Sequence, residues 1–148
     1  MQSHLDQELI KAASDVIKER YDANRHVVGA ALRLKTGKIV TGVHLEATIG
    51  RIAICAEAVA IGRAVTEHGG EEIEMLVAVY HPGDSDPIVC SPCGMCRELM
   101  IDYAPSADVL LAASDGSVQR VAVSDLLPSP YQRVGGAGAF PRASPIHT

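Results

Sequence analysis

Two short stretches of this chain combine residue types that could do chemistry: Cys55-Ala56-Glu57 and Pro92-Cys93-Gly94-Met95-Cys96. Cys93 and Cys96 are three residues apart, a spacing that puts two thiols on one helix face and lets them grip one ion. Cys55 and Glu57 are two apart and would point to different sides of a helix interior. They reach a common ion only if it sits off the helix end, where first-turn side chains fan around the axis. A metal held between two helix N-termini satisfies both conditions. Three thiolates on Zn²⁺ leave an excess of negative charge, which the two helix dipoles would stabilise. Three protein ligands also leave a fourth position for water, the mark of a catalytic rather than a structural zinc, and the metal lowers that water's pKa to about 7. Glu57 would take the proton from the water and deliver it to a substrate. The run from Ile52 to Val65 is apolar nearly all round, with Arg51 outside it and only Glu57 and Arg63 charged within it. A carboxylate in so dry a helix is costly unless it has a partner or a task.

The elements that must position these residues follow from periodicity. Leu5, Leu9, Ala12, Ala13, Val16 and Ile17 predict an opening amphipathic helix with one buried face. Residues 27–34 and 38–44 read as a hairpin around Thr36-Gly37, residues 54–68 as a helix closed by Gly69-Gly70, and residues 73–81 as a buried strand. Ser91 as N-cap and Pro92 at the first helical position predict a second site-bearing helix, running to about Tyr103. Residues 108–113 and 118–123 are two more strands, and Leu126-Leu127-Pro128 ends a short helical turn. Helices interleaved with strands predict an α/β fold, a three-layer α/β/α sandwich around a five-stranded mixed sheet. The expected organisation is one catalytic domain over residues 1–134 and a flexible Gly-, Pro- and Ser-rich tail over 135–148.

Composition removes other classes. The chain has 148 residues, enough for one core without disulfide staples, and its formal net charge of −5 argues against a polynucleotide partner, which needs a basic surface. No run of about 18 apolar residues occurs, so no membrane span is expected, and the N-terminus lacks the apolar stretch of a signal peptide. Cys55, Cys90, Cys93 and Cys96 therefore read as metal or redox chemistry in a cytoplasmic setting, not as a disulfide framework. The aromatic content is sparse: Tyr21, Tyr80, Tyr103, Tyr131 and Phe140.

The pattern Cys-x-Glu followed by Pro-Cys-x-x-Cys resembles that of zinc deaminases. Val28-Gly29-Ala30-Ala31, Gly42-Val43-x-x-Glu46, Ser91-Pro92-Cys93-Gly94-x-Cys96-Arg97 and Leu126-Leu127-Pro128 extend the resemblance from about Val28 to Tyr131. The family is the short, homotetrameric class of cytidine deaminases with the related blasticidin-S deaminases. The resemblance implies hydrolysis of a cytosine-type amino group to a carbonyl with release of ammonia, and one Zn²⁺ per subunit on Cys55, Cys93 and Cys96. It also implies Glu57 as the catalytic carboxyl, and substrate contacts from His26, His44, Glu46, Ala56 and Ser91. Its expected substrate is cytidine or deoxycytidine, its partners small nucleosides or nucleobases and further copies of itself, and its setting pyrimidine salvage.

Four positions depart from the cytidine deaminase pattern. His44-Leu45-Glu46 stands for the sugar-binding Asn-x-Glu, with the eleven-residue step from His44 to Cys55 kept. Ala58 stands where an Arg commonly offsets the thiolate charge, which leaves Arg63 or Arg97 as candidates for that role. His26 replaces the stacking Phe, and Glu98 follows Cys96-Arg97 where Gln is usual. These changes keep the reaction and open the substrate to a modified nucleoside or aminated base, blasticidin S among them. Two readings from other classes stand beside the enzyme: a structural Cys₄ zinc module that includes Cys90, and a thiol redox protein using Cys93 and Cys96. Cys90 itself reads as a buried structural thiol at a strand end. Tyr131 has two readings of equal weight, local packing and contact with a neighbour's pocket.

Overall fold

The computed structural model describes residues 2–133. The chain opens with helix α1 (His4–Arg20), started by a capping box in which the Ser3 side chain accepts from the Asp6 backbone and the Asp6 carboxylate accepts from Ser3. Strands β1 (Val28–Leu34) and β2 (Ile39–Val43) form the expected hairpin, and a short 3₁₀ turn (Gly50–Ile52) leads into helix α2 (Ala56–Glu67). Strand β3 (Ile73–Tyr80), strand β4 (Ile88–Cys90) and helix α3 (Gly94–Tyr103) follow, then β5 (Asp108–Ala112), β6 (Val118–Ala122) and the short α4 (Val123–Leu126).

The strands make one mixed sheet in the order β2-β1-β3-β5-β6. The β3–β5 pair is parallel, and β1–β2, β1–β3 and β5–β6 are antiparallel. The sheet has six strands rather than the expected five, because β4 pairs antiparallel with the end of β3, placing Cys90 opposite Ala78. Three residues are too few to show alternation, so the sequence registers only the loop before them.

Helices cover both faces. Leu9, Ala13 and Ile17 of α1 pack with Ala31, Met75, Val77, Val79 and Leu110 on one side. Ala56, Ala60, Ile61 and Ala64 of α2 and Cys96 and Met100 of α3 pack with Ala30, Leu32, Leu34, Leu76 and Ala78 on the other. Covering both faces is why β1 is apolar at every position but Arg33 and is buried from Gly29 to Leu34. Leu5, expected on the buried stripe of α1, is 50% exposed; Asp6 turns inward instead, held by the capping box. Among the described residues no helix is long and apolar enough to cross a membrane. The proposed tail, 135–148, with Phe140, lies outside the described residues.

Both site-bearing helices start later than expected. Ser91 does not cap α3 and Pro92 is not its first residue: strand pairing carries the chain as far as Cys90, and the redirecting turn occupies the next residues, leaving Cys93 as N-cap. Likewise α2 begins after Cys55, not at Ile54.

Candidate active site

Each of the two helices presents a cysteine at its N-cap in extended backbone, Cys55 with φ −65° and ψ 148° and Cys93 with φ −70° and ψ 169°. Neither side chain makes the capping bond that a Ser or Asp would make there, so both sulfurs stay available to another partner. Glu57 is the second residue of α2 and Cys96 the third of α3. The sulfurs of Cys55, Cys93 and Cys96 all lie within 4.8 Å of one another, and those of Cys55 and Cys93 are 3.5 Å apart. Sulfurs sharing a tetrahedral zinc at about 2.3 Å stand roughly 3.8 Å apart, so the donor set fits that ion. Among the described residues this is the one grouping of three or more such donors.

Burial grades the three thiols: Cys96 is buried, Cys55 half-buried and Cys93 exposed. Burial, reinforced by the Cys93 sulfur, pushes the Cys55 thiol up to about 11. Burial also raises Cys96 strongly, helped by the negative charge of Glu57. For Cys93 burial acts upward too, but hydrogen bonds from the Cys96 backbone N–H and from the Cys55 and Cys96 thiols outweigh it, leaving Cys93 below its ordinary value. A bound cation would favour the thiolate form of these sulfurs and release the protons they carry.

Glu57 is 5% exposed. Burial raises its pKa, opposed by its own backbone N–H, by the Cys96 side chain and by the charge of His44. A carboxyl that holds its proton more firmly than usual, beside the metal donors, is built to accept and return one.

The expected substrate residues fall in two places. His44 follows β2, with its N–H bonded to the Val28 carbonyl. Its Nε2 lies 3.5 Å from Glu46 Oε2, while its Nδ1 is buried without a partner among the described residues. His26 Nδ1 donates to the His44 carbonyl at 2.7 Å. The loop between His44 and α2 is cross-tied by a two-bond bridge between Leu45 and Ile54, and Glu46 shares a cleft of about 250 Å³ with Asn24, Arg25, Ala47 and Thr48. Ala56 is buried in the core, so the group it can offer is the backbone N–H of the first turn of α2. Ser91 is exposed on the turn between β4 and α3.

Neither arginine suggested for charge balance is itself a hydrogen-bond partner of a sulfur. Arg63 is engaged by Glu67 and the Thr41 carbonyl. Arg97 donates to the Pro92 and Leu126 carbonyls. This tie is a feature that sequence reasoning missed, its only local signal being a cation directly after Cys96. Cys90 packs against the core, its thiol raised to about 11 by burial and by Glu57, and its sulfur is not part of the three-sulfur group. The closed Cys₄ module is therefore not formed.

A three-layer α/β/α sandwich with three thiols and a buried carboxyl at two helix N-termini is the build of a zinc hydrolase. Residues 3–112 match the family model described as the cytidine and deoxycytidylate deaminase zinc-binding region, and the chain belongs to that family. It is a cytidine deaminase-like hydrolase whose cofactor is zinc. The chain is 46% identical over 136 residues to a blasticidin-S deaminase of Bacillus cereus, covering 88% of this chain and 95% of that one. It is 32% identical over 127 residues to a cytidine deaminase of Halalkalibacterium halodurans, covering 84% and 92%. Among solved structures, the cytidine deaminase of Mycobacterium leprae superposes with a TM-score of 0.68 at 28% identity, over 86% of this chain and 100% of that one.

Proposed function

We propose that this chain hydrolyses the exocyclic amino group of a cytosine ring to a carbonyl and releases ammonia, with cytidine or deoxycytidine as substrate. The observation that carries the reading is the convergence of Cys55, Cys93 and Cys96 within 4.8 Å, with the buried Glu57 two residues from the first of them. The three sulfurs hold zinc, which supplies Lewis-acid activation of water. Glu57 would take one proton from the attacking water and pass it to the ring nitrogen, then take a second from the added hydroxyl as it becomes the carbonyl and pass it to the departing amine. The first turns of α2 and α3 direct their N–H groups at the same space, favouring negative charge there. His44 and Glu46 hold the sugar side of the substrate, His26 lies against its ring, and the Ala56 N–H and Ser91 complete the polar contacts.

The reading includes a domain over 1–134 with a tail at 135–148, assembly as a homotetramer, and a cytoplasmic role in pyrimidine salvage. Assembly is supported by the exposed aliphatic side chains of Ile49, Ile52 and Val65 on and before α2. A second reading, deamination of blasticidin S, is favoured by the 46% identity with the Bacillus cereus enzyme.

Ammonia release by the zinc-loaded protein, measured across cytidine, deoxycytidine, cytosine, aminopurines and blasticidin S, separates them. The highest kcat/KM is expected on cytidine or deoxycytidine. A higher value on blasticidin S replaces the first reading with the second, and no ammonia from any cytosine compound overturns both.

A further inference from the structure

The least supported of the three sulfurs belongs to Cys93. Cys96 is buried inside α3, whereas Cys93 is exposed, stands outside the helix and has no capping bond to fix it. Its backbone is held from elsewhere. Arg97, the residue after Cys96, folds back so that Nε donates to the Pro92 carbonyl at 3.0 Å, the acceptor in the peptide that leads into Cys93. The same guanidinium reaches forward in the chain: Nη1 donates at 3.1 Å to the carbonyl of Leu126, the last residue of α4, where the helix leaves its carbonyls without internal partners. The neighbouring Glu98 then accepts from the Tyr131 backbone N–H at 2.8 Å. Two consecutive residues of α3 thus fasten residues 126–131 to the segment that carries Cys93 and Cys96.

We propose that Arg97 is a positioning residue for the metal site: it locks the Pro92–Cys93 peptide against the end of α4, and residues 126–131 act as a strap whose seating sets how firmly Cys93 holds zinc. The inference rests on the reading that Cys55, Cys93 and Cys96 hold the ion. A guanidinium suits the task because its donors lie in a fixed plane and can bridge two carbonyls at once; an ammonium is a single flexible point charge. Outer groups that fix a metal ligand typically change metal affinity by about 10–100-fold when altered.

The test is the rate at which full-length, zinc-loaded protein gives up its metal to excess chelator, read beside the melting temperature. Arg97→Lys is expected to release zinc about tenfold faster or more. Arg33→Lys is the control: Arg33, buried where Arg97 is half-buried, also donates to a main-chain carbonyl, that of Leu5, but it lies on the α1 side of the sheet. It is expected to lower the melting temperature and leave zinc release unchanged. Glu98→Ala, which loosens the strap with Arg97 intact, is expected to speed release, and Glu98→Gln, which keeps an oxygen for the Tyr131 N–H, to restore the wild-type rate. Equal release from Arg97→Lys and Arg33→Lys overturns the positioning role. Should Arg97→Lys fail to fold, a wild-type rate in Glu98→Ala overturns the strap. A wild-type chain that holds no zinc overturns the underlying reading instead.

Discussion

His26 Nδ1 donates a hydrogen bond of 2.7 Å to the carbonyl oxygen of His44, so the two histidines of the site are tied to each other. The tie requires hydrogen on His26 Nδ1, because a carbonyl can only accept. It also anchors the start of the loop that delivers Glu46. The His44 ring stands 3.5 Å from Glu46, and Glu46 Oε1 accepts from the Ala47 N–H at 2.9 Å. One carboxylate oxygen therefore already accepts a hydrogen bond, and the other lies beside a His44 ring nitrogen.

His44, placed with Glu46 on the sugar side, also stands beside Glu46 Oε2, so a substrate hydroxyl reaching that oxygen meets it as a competitor as well as a partner. His44→Asn removes that competitor and restores the residue type that cytidine deaminases use. The expected result is a KM for cytidine lowered by about two- to tenfold, the range of one net hydrogen bond of ~0.5–1.5 kcal/mol, with kcat little changed. Steady-state kinetics on cytidine and deoxycytidine check it. An unaltered KM would mean that this loop does not select the sugar.

Glu57→Gln should keep the fold and the zinc while losing ammonia release by at least about 10²-fold, since the amide cannot carry the proton. Burial raises the Glu57 pKa in the folded chain, so the folded state binds that proton more tightly than the unfolded one. Stability from this group is therefore highest at low pH and falls as pH rises from the unfolded carboxyl's pKa through the raised folded value. In metal-free protein the stability advantage of Glu57→Gln over wild type should be largest at neutral pH and shrink on acidification. Denaturant melts across that range measure it; a gap that widens toward acid would contradict the burial effect.

What could be read from sequence followed the range of the interactions involved. The donors Cys55, Cys93 and Cys96 and the carboxyl of Glu57 were legible because chemistry demands those residue types at short spacing. The helix starts were displaced because Ser91-Pro92 carries the usual start signal, while strand pairing at Cys90, a tertiary fact, postpones the helix to Gly94. β4 is too short to alternate. The bonds of Arg97 end on main-chain oxygens, which have no sequence signature, and at the start of α1 the capping box turns Asp6 inward and leaves Leu5 exposed.

Cys90 decides between a catalytic and a closed metal site. Its sulfur lies outside the three-sulfur group, so Cys90→Ala should retain one zinc per chain, whereas Cys93→Ala should lose it. Metal content after dialysis, by atomic absorption, makes the comparison. Loss of zinc from Cys90→Ala would restore the four-thiol reading.

The position of α2 over the sheet rests on a missing side chain. A β-carbon on Gly42 of β2 would stand 2.6 Å from Ala60 N and 2.8 Å from Ala56 O, both backbone atoms that cannot swing aside. Gly42→Ala must therefore push the helix that begins beside Cys55 and carries Glu57. Overpacking of this kind costs about 1–3 kcal/mol. Gly29→Ala provides the matched control, since its β-carbon would meet Ala13 O at 2.5 Å and Ile17 Cβ at 2.8 Å, displacing α1 on the opposite face. Both variants should melt at lower temperature, but only Gly42→Ala should also release zinc faster and lose kcat, because only it moves Cys55 and Glu57 relative to Cys93 and Cys96. If the two variants lose equal stability and keep equal zinc, the close approach at Gly42 holds the fold without holding the site.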